Sequence, residues 1–275
     1  MRRTITILVL PALLFIFIFF VLPLLFLLAQ SFQDPETGQL TLAGYAEFFQ
    51  KETSQIIYVR TLRLGLTITL INIVLAYPAS YVLARLPAKR RTLAMSLVIL
   101  PLMTNPVART YAWLIILGRT GLINNVLLST GLIESPERLI YTEGAIILGL
   151  TQLLLPLMIL SLVSAMENIP KDVEEAARSL GANGITTFLR VIVPLSADGL
   201  VLGATLVFTG SITAYVTPVI LGGNRMLMLS TLLRQRAMMA FDEQGATVVA
   251  VVMIVTALAV NLLVRMLRPK PTAQR

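Results

Sequence analysis

Six runs of apolar residues dominate the chain, at about 5–28, 61–83, 93–117, 143–166, 195–221 and 245–267. The hydrocarbon core of a bilayer is roughly 30 Å thick, and a helix of about 20 apolar residues crosses it. In lipid every backbone N–H and C=O must find its partner within the protein, so uninterrupted runs of this length are read as helices. A transmembrane β-barrel would need apolar and polar residues in alternation, and these runs do not alternate. Composition agrees: 56% of the 275 residues are hydrophobic and 13% charged, with a mean hydropathy of +0.84. That leaves too little polar surface to cover a soluble domain of this length. The expected fold is an all-α polytopic membrane protein, six transmembrane helices in a single domain over residues 1–275.

The basic residues orient the spans. With both termini in the cytoplasm, Arg2, Arg3, Arg85, Lys89, Arg90, Arg91, Lys171, Arg178, Arg190, Arg265, Arg268, Lys270 and Arg275 fall on short inner segments. They are 13 of 22 basic residues, and only five of 14 acidic residues accompany them, so the inner side carries the whole net charge of +8. This is the positive-inside asymmetry, and it accounts for the charge without a nucleic-acid partner. Arg2 and Arg3 ahead of an apolar stretch resemble a signal peptide, but the stretch continues through Pro23 with no clear small-residue cleavage site, so it is read as a retained first span. No boundary sets off a soluble domain. The longest outer loop, 29–60, holds the turn signal Pro35-Glu36-Thr37-Gly38, and 42–49 can form a short interfacial helix. Residues 121–129 carry apolar positions at helical spacing; such a helix can lie on the membrane, cover the outer pore, or simply close a loop. The chain has no cysteine and no histidine, which removes disulfides and histidine-based metal or acid–base chemistry.

The one substantial inner loop, 168–194, is polar and patterned. Pro170 suits a first helical turn, and Asp172, Glu174 and Glu175 place negative charge where the helix dipole favours it. Val173, Ala176, Ala177 and Leu180 repeat at helical spacing and form an apolar stripe, with Glu174 and Arg178 available as an i, i+4 pair on the other face. Gly181 is placed to end the helix in a left-handed conformation. Asn183 then caps a second helix to about Arg190. The residues alone leave two readings open: a docking surface for another protein, with small Ala176 and Ala177 allowing close approach, or an amphipathic cover for the helix bundle.

Glu175-Ala-Ala-Arg-Ser-Leu-Gly181, nine further residues and Val191-Ile-Val-Pro194 resemble the EAA loop of binding-protein-dependent ABC importer permeases. The family pattern has Glu-Ala-Ala, three residues, Gly, nine residues, Ile, one residue and Leu-Pro; Val191 and Val193 depart from it conservatively. The resemblance extends to Leu100-Pro-Leu-Met-Thr-Asn105-Pro106-Val-Ala-Arg109-Thr-Tyr111, to Gly121-Leu-Ile-Asn124 and to Tyr215-Val-Thr-Pro218-Val-Ile-Leu-Gly222-Gly223, which are similar to the spermidine/putrescine permease subgroup. It implies a type I (MetI-like) importer permease in a bacterial inner membrane. It also implies three partners: a second, different permease subunit, a periplasmic or lipid-anchored substrate-binding protein, and a cytoplasmic ABC ATPase dimer that holds ATP and Mg. By the same resemblance the loop is a coupling helix, with Glu174, Glu175, Ala176, Ala177, Arg178 and Gly181 engaging the ATPase.

Polar or broken positions inside spans mark candidate pathways. Asn105, Arg109, Tyr111, Tyr215 and Thr217 are the candidates here, with Thr213 beside them and with Pro106 and Pro218 as breaks. Against this stands a structural role in which Arg109 snorkels or pairs with Glu143. Carboxylates are scarce in the middle of the spans, so a polyamine would find its acids on a partner; a zwitterionic or anionic cargo such as an opine or amino-acid derivative would suit Arg109. No Gly-x-x-x-x-Gly-Lys-Ser/Thr loop is present to cradle a nucleotide, so the chain is expected to be a non-catalytic transport subunit. The alternative, an ion-coupled secondary transporter, is disfavoured by the scarcity of intramembrane acids. An intramembrane hydrolase lacks a nucleophile elbow.

Overall fold

The computed structural model describes residues 2–34 and 37–266. Met1, Pro35-Glu36 of the expected turn, the end of the sixth span at Leu267, and the basic residues Arg268, Lys270 and Arg275 of the charge asymmetry lie outside the described residues. Regular structure among the described residues is helical, with one isolated antiparallel bridge between Gln33 and Leu40. Contacts divide the chain into two compact units: residues up to 58 with 232–255, and residues 59–231 with those from 256 onward.

In the first unit, α1 (Arg2–Ile16) passes through a wider turn, Phe17–Val21, into α2 (Leu22–Ser31). The widening sits where the Pro23 ring would otherwise press on the Phe19 carbonyl. From Val9 to Ser31 this rod buries almost nothing within the chain and displays Phe15, Phe19, Phe20 and Phe26 outward, a surface that suits lipid. α3 (Ala43–Gln50) is the short helix expected at 42–49, moved by one residue. The hydroxyls of Ser31 and Tyr45 lie 2.7 Å apart, and Gln244 Nε2 donates to the Gln33 carbonyl at 2.8 Å.

The second unit holds the core. α4 (Glu52–Arg85) begins in the first unit and continues here; then come α5 (Ala88–Met103), α6 (Pro106–Ile116), α7 (Leu122–Ser129) and α8 (Glu143–Glu167). Next are α9 (Lys171–Ser179), α10 (Gly184–Thr187), α11 (Val193–Leu195) and α12 (Ala197–Thr213). α13 (Leu229–Arg234) and α14 (Glu243–Met266) run through both units. α8 is apolar on all sides, as a central helix must be, and Leu150, Met158, Leu162 and Met166 are fully buried along it. α12 lies closest to it. A Cβ at Gly199 would stand 2.6 Å from the Ser161 carbonyl oxygen, and one at Gly203 2.5 Å from Met158 Sδ, so the four-residue glycine spacing sets the approach of the two backbones. In lipid, where apolar surface has no water to escape, close packing of this kind is what associates helices.

Among the described residues, four helices are long and apolar enough to cross a membrane without a sharp bend: Val9–Ser31, Glu52–Arg85, Glu143–Glu167 and Glu243–Met266. Two bent pairs bring the number to six, matching the six apolar runs. The bends correct two expectations of continuous spans. The run at 93–117 is α5 and α6, turned by 90°. Pro106 does not kink a helix there; it opens a new one at the first helical position, where its missing N–H costs nothing, and the Asn105 side chain caps it by accepting from Val107 N at 2.8 Å. The fifth run meets the preceding segment 184–195 at 71° and leaves α12 at Thr213, well short of Pro218, which starts a separate wide turn, Pro218–Gly222.

Candidate functional site

α9 starts after Pro170, which takes the cap position with extended backbone rather than the first turn. It ends as its sequence dictates. Gly181 has φ +86°, Gly181 N donates to the Arg178 carbonyl at 2.9 Å, and Ala182 N donates to the Ala177 carbonyl at 3.1 Å. These two bonds satisfy the last carbonyls of the helix and turn the chain sharply. Asn183 then accepts from Thr186 N at 2.8 Å and starts α10, and the helical path runs beyond the expected end near Arg190, through the wide turn Phe188–Ile192 to Leu195.

The orientation of α9 does not match an amphipathic cover for the bundle. The residue turned inward is Glu174, 8% exposed, while Ala176 and Leu180 of the apolar stripe face out, Leu180 at 89% exposure. The expected Glu174–Arg178 pair does not form. Glu174 Oε1 instead accepts from Arg85 Nε at 2.6 Å and from Arg85 Nη2, and Oε2 accepts from the Tyr81 hydroxyl at 3.0 Å. Arg85 also donates Nη1 to the Met166 carbonyl at 3.2 Å, and its guanidinium lies 5.8 Å from the Tyr81 ring centroid. The physical reason is that the half-buried cation at the end of α4 would be left uncompensated without a carboxylate, a state that costs about 3–5 kcal/mol, and Glu174 is the carboxylate of α9 that reaches it. Sequence periodicity sees the helix alone, and Arg85 lies 89 residues away from Glu174.

The second loop helix is held by aromatic contacts. The Phe188 ring meets Tyr81 at 5.4 Å and Tyr77 at 5.9 Å, both edge-on, and the Tyr77 hydroxyl lies 3.3 Å from Ser196 Oγ. What remains on the surface of 171–195 is one mixed patch: the Glu175 carboxylate, small Ala176, and the exposed side chains of Leu180, Ile185 and Leu189. Ala177 is half-buried and Arg178 exposed.

The pathway candidates are brought together only in part. Asn105, Arg109 and Tyr111 lie on α6. Tyr111 lines a cavity of about 500 Å³ with Leu114, Arg138, Tyr141, Asn224 and Arg225. Thr217 is buried, its hydroxyl 3.3 Å from that of Thr110 on α6. Tyr215 is half-buried and Thr213 turns its hydroxyl back to the Thr209 carbonyl at 2.7 Å; neither lines the cavity. Pairing of Arg109 with Glu143 is not observed, because Glu143 is taken by Arg60 at 3.2 Å and by Arg63. Arg109 Nε and Nη1 are buried without a hydrogen-bond partner among the described residues. A second cavity, of about 580 Å³, opens beside the α5–α6 bend and is lined by Pro101, Trp113, Thr151 and Gln152 among apolar residues. Sequence reasoning missed these; the signals were a lone tryptophan and a Thr-Gln pair inside apolar runs. Asn124, part of a motif quoted above, is wholly buried and staples its loop: Nδ2 donates to the Gly118 and Glu137 carbonyls, both at 3.0 Å, and Oδ1 accepts from Glu137 N at 2.8 Å.

Comparison with known proteins adds independent findings. The family model described as binding-protein-dependent transport system inner membrane component matches residues 76–272. The spermidine/putrescine transport system permease protein PotB of Haemophilus influenzae is 35% identical over 223 residues, covering 79% of this chain and 78% of that protein. Its counterpart in Escherichia coli is 33% identical over 222 residues, 79% and 80% of the two chains. Among solved structures, a bacterial ABC transporter involved in the import of the acidic polysaccharide alginate superposes with a TM-score of 0.75 at 17% identity, over 98% of this chain and 96% of the other. The alginate transporter in complex with an alginate pentasaccharide-bound periplasmic protein gives 0.80 at 16% identity, over 96% and 93%. At those identities the likeness is one of fold.

Proposed function

The chain belongs to the family of binding-protein-dependent transport system inner membrane components, and on that premise we propose how it works as the transmembrane permease subunit of an ABC importer. All of residues 1–275 act as one permease domain, multi-pass in a bacterial inner membrane with both termini in the cytoplasm. The 168–195 segment faces a cytoplasmic ATPase dimer, which binds ATP and Mg and hydrolyses the nucleotide. A second permease subunit completes the pore, and a periplasmic or lipid-anchored binding protein delivers cargo to the opposite face. ATP-driven closure of the ATPase draws the loop helices together and biases the pore between two states, and hydrolysis resets it.

The observation that carries this reading is the geometry of α9. A helix pinned on one side by a buried ion pair leaves Glu175, Ala176 and Leu180 free, with Ile185 and Leu189 exposed beside them. An apolar patch of this kind, placed outside the apolar spans, is a surface for another protein. Gly181 and Arg178 set the turn that presents it. The test is co-purification of the cognate ATPase with Glu175→Lys and Leu180→Asp variants. Each is expected to insert normally and to retain roughly tenfold less ATPase, the loss typical of a central contact residue. Full retention by both would sink the docking face.

The relatives' names favour a polyamine as cargo. One observation favours a second reading. The cavity at Tyr111 presents Arg138 and Arg225, and among the described residues no Asp or Glu lines it, an environment that suits a carboxylate-bearing solute such as an opine or amino-acid derivative. Uptake of labelled putrescine separates the two: competition by unlabelled spermidine supports the first, and competition by amino-acid carboxylates but not by diamines supports the second.

A further inference from the structure

The side of α9 turned away from the proposed ATPase surface is as organised as the surface itself. Glu174 is the only side chain of α9 that is buried, and both its carboxylate oxygens are spoken for by α4: Oε1 by Arg85, Oε2 by Tyr81. Arg85 reaches α8 as well, through the Met166 carbonyl. The same turn of α4 grips the second loop helix through Phe188. Around these contacts the packing is open: a cavity of about 480 Å³ lies between α9 and α4, lined by Val82, Leu86, Lys171, Glu175 and Arg178 besides Tyr81, Arg85 and Glu174. α9 therefore meets α4 through directional polar bonds rather than through an apolar interface. A push or pull on α9 has few other routes into α4.

We propose that Arg85, with Tyr81, is the positioning residue through which movement of the loop reaches the membrane helices, the Arg85–Glu174 pair acting as a load-bearing joint between α9 and α4. This rests on the docking reading above. It divides the coupling residues by role: Glu175, Ala176 and Leu180 receive force, and Glu174 hands it on. The joint resists both rotation and translation because Arg85 converges two donors on one carboxylate oxygen while Tyr81 holds the other, and charge-assisted bonds are the stronger ones, whereas apolar contacts slide. At its far end α4 is tied to the start of α8 by Arg60 and Arg63 on Glu143. The two helices are thus clamped at both ends, and a displacement of α9 is expected to carry both.

The chain has no native cysteine, so paired spin labels report without background. Labels at Lys171→Cys on α9 and at Leu66→Cys on the exposed side of α4 stand roughly 30 Å apart, given about 1.5 Å of rise per residue along α4. Distance distributions are measured by pulsed electron resonance on the complete importer in nanodiscs, nucleotide-free and trapped with ATP and vanadate. The unaltered joint is expected to give one narrow distribution, the same in both states. With Arg85→Gln the ATPase stays bound, but the distribution shifts on trapping and widens roughly twofold, as for an element freed of one constraint. Tyr81→Phe, which keeps the ring and removes a single hydrogen bond, gives a smaller shift. Arg85→Lys and the exchange Arg85→Glu with Glu174→Arg restore the narrow distribution, which a merely space-filling role would not. Arg85→Gln behaving as wild type overturns the joint, and so does a wild-type distance that itself changes on trapping. Full retention of ATPase by Glu175→Lys and Leu180→Asp would instead defeat the docking reading, and that result is read from a separate measurement.

Discussion

Arg85 and Arg109 are both half-buried arginines in the second unit, and they live under opposite conditions. Arg85 gives its nitrogens to one carboxylate and one carbonyl and lies close to a tyrosine ring. Arg109, on the far side of the α5–α6 bend, leaves Nε and Nη1 buried with no hydrogen-bond partner among the described residues. A guanidinium cannot shed its proton to escape such a position, so the unsatisfied donors are a standing cost of about 1–3 kcal/mol each. The first arginine is finished as a structural element within this chain. The second has donors that no described residue takes up, and we keep it with the proposed pathway and Arg85 with the proposed transmission.

Substitution breaks this comparison most directly at Arg85. Arg85→Ala strands the Glu174 carboxylate in a buried site and is expected to destabilise the protein by about 3–5 kcal/mol, seen as a lower midpoint of unfolding in mixed detergent; an unchanged midpoint would mean that the pair is solvated and idle. Arg109→Met should move the other way. Removing unpaired donors is expected to leave stability unchanged or raise it by about 1–3 kcal/mol, while cargo uptake falls; a large loss of stability would show that Arg109 has a structural partner. Gly181→Ala forces a Cβ into a left-handed conformation, φ +86°, and is expected to cost about 1–2 kcal/mol, read as faster proteolysis of the loop with the bundle intact. Glu175→Lys is the smallest in stability, within about 0.5 kcal/mol as for any exposed site, although it should lower ATPase retention roughly tenfold. A variant that altered folding and docking together would erase the distinction between the two faces of α9.

Legibility from the sequence followed the range of the interactions. The turn at Gly181, the cap at Asn183 and the short helices at 43–50 and 122–129 are local, and each formed where its residues indicated, within a residue or two. The Asn105-Pro106 break was visible as a break but not as a right angle, because the sequence marks where hydrogen bonding stops and not where the next helix points. Glu174 was misread for the same reason. Its helical neighbours offered Arg178 as partner, and the residue that took it comes from the end of another helix.

Apolar run length and the need to pair every backbone group in lipid determined by themselves that this is a helical membrane protein, and the loop pattern between residues 175 and 194 carried its resemblance to importer permeases, since each is a property of the chain read in order. Only the tertiary structure decided which face of α9 is free, which arginine is satisfied and how closely α12 approaches α8. Those outcomes turn on which distant group arrives first within a few ångströms of a charge or a glycine. Electrostatic and packing energies fall away steeply beyond that distance, and nothing in the order of the residues measures it.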